Sequence, residues 1–345
     1  MRKVTAAAVA ATMLLTTGVA MAASASDIKL DGDLKVHYRW NTAAGDPDYE
    51  GGKVWFRLNA TAPLSDNVDV YTRLSMQTVG GDLVGGTTPG ADFDTSYGKY
   101  NNDGLTVIDR LGFVVKSNDW KYTIGRQGVT LGPTALLYST EGYTGINMGA
   151  IDGVVATGKS GATNLKVVVG KQWSDGKDYD NKVYAVEASY SPAKDWTVGA
   201  VVGKVKFDQG EAADLLADYG IDKKSSNHWA VNAGYTLGKA NFAAEYGKSN
   251  FDELNTAYAA VVNYAFDTKH SAYVNYSKIN VAGDMVYATD WDNNGKGIGI
   301  GYDYKLRQDT TFSLFYKDMK TIIADGSTPA GSKYDSFRAT VTYKF

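Results

Sequence analysis

From Ile28 to Trp40 the chain alternates strictly. Even positions read Ile28, Leu30, Gly32, Leu34, Val36, Tyr38 and Trp40, and odd positions read Lys29, Asp31, Asp33, Lys35, His37 and Arg39. A period of two puts every apolar side chain on one face of an extended strand and every charge on the other, which helical spacing cannot do. The pattern recurs with Val54, Phe56, Leu58, Ala60 and Ala62 against Lys53, Trp55, Arg57, Asn59 and Thr61. It recurs again with Val68, Val70, Leu74 and Met76 against Asp69, Tyr71, Arg73, Ser75 and Gln77. Further alternating segments fall near 105–116, 120–127, 150–158, 163–173, 182–191, 196–207, 227–237, 240–249, 256–266, 270–279, 296–306, 310–321 and 334–345, so the expectation is an all-β chain of 16 strands.

The connections alternate in length. Short polar turns at 65–67, 117–119, 159–162, 192–195, 238–239, 267–269 and 307–309 alternate with longer stretches at 42–52, 80–104, 128–149, 174–181, 208–226, 250–255, 280–295 and 322–333. That is an up-and-down meander with its two rims in different environments. So many strands enclose more space than side chains can fill, which argues against an apolar interior. The reverse arrangement sets the apolar face against lipid and the polar face around water. Unpaired backbone groups are costly in hydrocarbon, so such a sheet closes and leaves no edge. The prediction is a transmembrane antiparallel up-and-down β-barrel. Outward-phase aromatics near strand ends, such as Trp40, Trp120, Trp196, Tyr264 and Tyr304, suit the headgroup level of a bilayer.

The amino terminus reads as an address. Arg2 and Lys3 precede an apolar stretch from Ala6 to Leu15, and Ala20-Met21-Ala22 offers small residues at a cleavage site. Cleavage after Ala22 is expected, giving a leader at 1–22, a barrel domain at 23–345 and an exported protein. Beyond this segment no apolar run is long enough for a membrane helix. The absence of Cys excludes disulfides, thiolate zinc sites and iron–sulfur clusters, and a net charge of −3 gives no reason to expect nucleic acid as a partner. The 3 His residues do not form a catalytic constellation: His37 is mid-strand, and His228 and His270 open strands at opposite rims. No catalytic residue, cofactor or metal is predicted. Asp290-Trp291-Asp292-Asn293-Asn294-Gly295 matches the start of a calcium loop, but Gly301 stands where the bidentate Glu belongs, so a polar hairpin loop is expected instead. A short helix is expected from Glu211 to Tyr219, with Leu215 and Leu216 buried.

Lumen-phase Lys35, Arg39, Arg57, Arg73 and Arg110 come from four consecutive strands, so closure stacks them on one side of the wall. Arg126 joins them only if its strand ends or bulges there, because Trp120, Tyr122 and Ile124 put its phase outward. Opposite this basic ladder we place the loop at 128–149, where Glu141 is the only acid. Its glycines permit tight bends, and Leu131, Leu136, Leu137, Tyr138, Tyr143 and Ile146 require burial, so it is expected to fold inward. Inward-phase Gly297, Gly299 and Gly301 leave another part of the wall bare. Trp55, Tyr71 and Tyr273 are scattered lumen aromatics.

The last strand, Phe337, Ala339, Val341, Tyr343 and Phe345 in the outward phase, ends in "ATVTYKF". This resembles the carboxyl-terminal assembly signal of bacterial outer-membrane barrels. The mature chain is similar to the general (non-specific) porin family, with "WFRLNA" around Arg57, "DRLGFVVK" around Arg110 and "YTIGRQ" at Arg126 as local matches. "INMGAIDGVVATG" departs from it in lacking a pore-facing arginine. The resemblance implies short periplasmic turns, long extracellular loops and a third long loop inside the lumen. It implies passive diffusion of small hydrophilic solutes and ions, a homotrimer latched by the 80–104 loop, insertion by the barrel assembly machinery, and contact with outer-membrane lipid and lipopolysaccharide. A phosphate- or sugar-selective channel on the same barrel is the alternative, and an outer-membrane hydrolase a more distant one.

Overall fold

The computed structural model describes residues 27–43, 46–77, 105–140, 150–173, 180–285, 291–326 and 328–345. The expected leader, the 80–104 latch and Glu141 lie outside them. The first barrel strands are β1 (Lys29–Ala43), β2 (Asp46–Ser65), β3 (Val68–Gln77), β4 (Leu105–Ser117) and β5 (Trp120–Gln127). Two short strands, β6 (Thr130–Leu131) and β7 (Tyr138–Ser139), pair only with each other. The wall resumes with β8 (Ala150–Ser160), β9 (Thr163–Trp173), β10 (Lys182–Ala193), β11 (Trp196–Lys206), β12 (Ser225–Leu237) and β13 (Ala240–Ser249). It ends with β14 (Thr256–Ala265), β15 (His270–Ile279), β16 (Gly295–Lys305), β17 (Thr310–Thr321) and β18 (Lys333–Lys344). Setting aside β6 and β7, these strands form one closed barrel in which neighbours in sequence are neighbours in space and β18 pairs with β1.

Closure follows the sequence phase. Val36 faces Val341, Tyr38 faces Ala339 and Trp40 faces Phe337 across the β1/β18 seam. The apolar phase points outward: Val202 is 56% exposed and its neighbour Val201 is 0% exposed. Lipid is the solvent for which that outer surface is written. Outward aromatics gather at both rims. Trp196 and Tyr235 lie 4.5 Å apart at the short-turn rim, and Tyr258 and Tyr276 lie 5.9 Å apart at the other.

Two local features depart from the sequence reading. The first long connection, expected at 42–52, is mostly strand: β1 and β2 stay paired as far as Ala43 and Asp46, with a register shift between Asn41 and Ala43. Gly, Pro and acidic residues there hide the alternation, while the paired backbone continues it. In β4 the register against β3 slips between Arg73 and Leu74. This bulge at Asp109 turns both Asp109 and Arg110 toward the lumen. The expected short helix is α1 (Gln209–Tyr219), with Leu215 buried.

Candidate functional site: the lumen and its infolded loop

The loop after β5 lies against the inner wall. Val129, Leu131, Leu137 and Tyr138 form one buried cluster with Val168 of β9, Val183 of β10, and Val201 and Val205 of β11. Those wall residues occupy inward positions, which in a water-filled barrel are normally polar. Here the lumen face is apolar because it is covered. Burial pushes the Tyr138 phenol far above its ordinary pKa, so it stays neutral.

Polar clamps fix the same segment. Lys166 donates to the Thr130 carbonyl at 2.8 Å and pairs with Glu187 at 2.9 Å. Glu245 of β13 accepts from the Thr134 hydroxyl at 2.7 Å and from its amide at 3.3 Å. The Trp291 indole donates to the Thr134 carbonyl at 2.7 Å, and the Met285 amide to the Leu137 carbonyl at 2.8 Å. Gly132 has φ +76°, and a Cβ there would come within 2.2 Å of the Glu245 carboxylate. Only glycine permits that approach.

Across the lumen stands the basic wall. Lys35, Arg39, Lys53, Arg57, Arg73, Arg110 and Arg338 occupy its inward positions. Closure places Arg338 directly opposite Arg39, a juxtaposition the linear pattern could reveal only with the β1/β18 register known. The ladder needs one correction. Arg73 is held by the fully buried Asp109 through two hydrogen bonds of 2.8 and 2.6 Å, and Ser75 donates to the same carboxylate at 3.0 Å. Its charge is therefore largely compensated. Arg110 is buried too, 3.9 Å from the same carboxylate, and reaches the infolded loop, donating to the Thr140 carbonyl at 3.3 Å, and so braces that loop.

Arg126 does not join the ladder. It pairs in register with outward Leu111 and with Asp152, which it grips by two hydrogen bonds of 2.8 Å, and its guanidinium lies 3.9 Å from the Trp173 ring centre. No bulge intervenes in β5, so the phase of Ile124 carries through and Arg126 faces outward.

Between the loop tip and the β14–β18 wall is a recess of about 440 Å³, lined in part by Trp55, Tyr273, Trp291, Asp292, Phe315 and Lys317. It brings together Trp55 and Tyr273, which are far apart in sequence. The glycines of β16 are not bare: a Cβ at Gly301 would sit 2.0 Å from the Tyr273 ring, and one at Gly299 2.9 Å from the Phe315 ring. These absences of side chain admit aromatic rings, which stack with centres 6.1 Å apart. Tyr71 instead donates its hydroxyl to the Arg126 carbonyl at 3.0 Å.

The loop that resembled a calcium site is used otherwise. Asp292 pairs with Lys317, and Asn293 donates to Asp284 at 2.8 Å. Lys317 thus neutralises Asp292, and Asp290 lies outside the described residues. Among the described residues no three His, Asp or Glu side chains converge on a metal position. His37 hydrogen-bonds Thr340 at 2.8 Å in the wall, and His270 bonds the Tyr302 hydroxyl at 2.6 Å on the outer face.

No curated protein sequence matches the chain. Among solved structures, a triple mutant of Rhodopseudomonas blastica porin superposes with a TM-score of 0.55 at 13% identity, covering 92% of this chain and 100% of that one. OmpT, an outer membrane protein of Vibrio cholerae solved in a trimer form, gives a TM-score of 0.56 at 15% identity, with 92% and 99% covered. At such identity the likeness speaks for the fold alone. The model of the Gram-negative porin family matches residues 5–345. With lipid-facing apolar positions outside, a polar lumen inside and that match along its length, this outer-membrane barrel is a channel for passive diffusion, and the chain belongs to the Gram-negative porin family.

Proposed function

We propose that the channel passes small hydrophilic solutes and ions with a preference for anions. The observation that carries this reading is the charge of the wall facing the infolded loop: the six bases Lys35, Arg39, Lys53, Arg57, Lys317 and Arg338 outnumber the four acids Asp31, Asp33, Asp292 and Asp303 on the same sector. A low-dielectric wall of one sign concentrates counter-ions and raises their flux. The test is the zero-current potential in planar bilayers across a KCl gradient. Its sign should report chloride preference, and Arg57→Gln with Arg338→Gln should move it toward zero. A wild-type potential of cation sign would overturn the proposal.

A second reading rests on the aromatic recess. Trp55, Tyr273 and Phe315 offer faces on which a sugar ring could stack beside the Asp292–Lys317 pair. Saturable current block by one sugar, abolished by Trp55→Ala, would favour a substrate-selective channel; linear flux of all small solutes would favour simple diffusion. No catalytic step is assigned in either reading. We further place the leader's cleavage after Ala22, the long-loop rim on the outside, lipid and lipopolysaccharide around the barrel, a homotrimer as the working form, and Phe337, Val341, Tyr343 and Phe345 as the segment read by the assembly machinery.

A further inference from the structure

We propose that the outer wall carries, at its long-loop rim, a row of lysines that binds the phosphate groups of an outer-leaflet glycolipid. The inference rests on the orientation given above and adds a specific site to it. Lys278 of β15, Lys296 of β16, Lys320 of β17 and Lys333 of β18 are direct register partners in succession. They share the outward phase with Tyr276, Ile298, Tyr316 and Phe337. Strands lie about 4.8 Å apart, so the row spans about 14 Å along the rim.

Like charges placed directly opposite on neighbouring strands repel and destabilise the sheet. Among the described residues nothing relieves this row, for none of the four lysines makes an ion pair. The nearest outward acids, Asp318 and Asp335, face each other one step toward the membrane. Asp335 accepts hydrogen bonds from Tyr316 at 2.9 Å and Thr42 at 3.1 Å. The row is therefore open to a counter-charge brought by a bound ligand.

Its location says what kind. The row stands just beyond the outward aromatic Tyr276, at the depth where lysines extend toward headgroups. At the opposite rim of the same sector the outward strand positions are Tyr264, His270, Tyr304, Thr310 and Tyr343, without Lys or Arg. A second run, with Lys182 opposite both Lys171 and Lys206, occupies the long-loop rim of β9–β11. Among the described strand positions of these sectors, outward basic residues thus belong to one leaflet only. A polyanionic headgroup confined to that leaflet can neutralise several lysines at once, whereas a free phosphate meets one or two.

The experiment compares wild-type protein with the Lys278→Gln/Lys296→Gln/Lys320→Gln/Lys333→Gln variant in phosphatidylcholine vesicles containing a phosphorylated glucosamine-disaccharide lipid. The control vesicles contain its dephosphorylated counterpart. Wild type should bind the phosphorylated lipid more tightly and melt higher with it; the variant should lose about fivefold in affinity per lysine neutralised and most of the melting increment. The corresponding Arg variant should retain both. If the Gln variant fails to insert, the Lys320→Gln/Lys333→Gln pair gives the same reading at half the loss. An equal increment in wild type and variant, or the same increment from inorganic phosphate in plain vesicles, would overturn the lipid row. Conductance of the same proteins, and external protease cleavage of the long loops on intact cells, report separately on the channel and its orientation.

Discussion

Asp109 has no exposed surface and receives Arg73 through two hydrogen bonds and Ser75 through a third. The bulge beside it is what allows a carboxylate into this wall at all. Removing one member of a buried ion pair leaves the other uncompensated and costs about 3 kcal/mol or more. Asp109→Asn should therefore lower the melting temperature in detergent and, by releasing the Arg73 charge, shift the zero-current potential further toward anions. Arg73→Gln added to Asp109→Asn should recover part of the stability and cancel the shift. If the single variant melted like wild type, the pair would not be the anchor described here. Arg126 makes the contrast. Its partner Asp152 has a side chain 40% exposed and the pair faces away from the pore. Arg126→Ala should leave conductance and selectivity unaltered, since the pair acts on the outer face. A change in either would put Arg126 back among the pore-lining residues.

At the scale of elements, sixteen strands were readable because one residue decides each phase and the phase repeats. The infolded loop left a subtler trace. "LKVVVG" in β9 and "GAVVGKV" in β11 are apolar in both phases, and a strand apolar on both faces is covered on both. That run of valines marks the docking site of Leu131 and Leu137, and it could have been found from the sequence. The bulge at Asp109 and the junction of Arg338 with Arg39 left no such trace, since each depends on register between strands rather than order within one. The loop's seat also gives a prediction. Leu137 is fully buried, against the position where Gly247 brings backbone close. Leu137→Ala opens a cavity worth about 2 to 5 kcal/mol in the apolar half of the loop's seat, leaving the polar clamps in place. The expected result is a noisier, larger single-channel current with the barrel's melting only slightly changed. Quiet currents of unaltered size would show that the polar clamps from Lys166 and Glu245 suffice alone.

For the whole molecule the decisive event is closure, because an open edge in lipid leaves a line of unpaired amides and carbonyls. The final residue takes part in it. Phe345 exchanges both backbone hydrogen bonds with Gly32, at 3.0 and 3.1 Å, and its ring stacks on Phe56 with centres 5.8 Å apart. Gly32 supplies the room: a Cβ there would lie 2.7 Å from the Phe345 ring. The terminal aromatic is therefore part of the seam as well as the assembly signal proposed for it, and the two roles separate experimentally. Phe345→Leu keeps both backbone bonds and loses the stack, worth about 0.5 to 1.5 kcal/mol beyond area burial. Barrels refolded in detergent should melt slightly lower and conduct as wild type, while the amount inserted in cells should fall steeply if the ring is also read during assembly. Equal small losses in both settings would leave Phe345 as a seam residue alone.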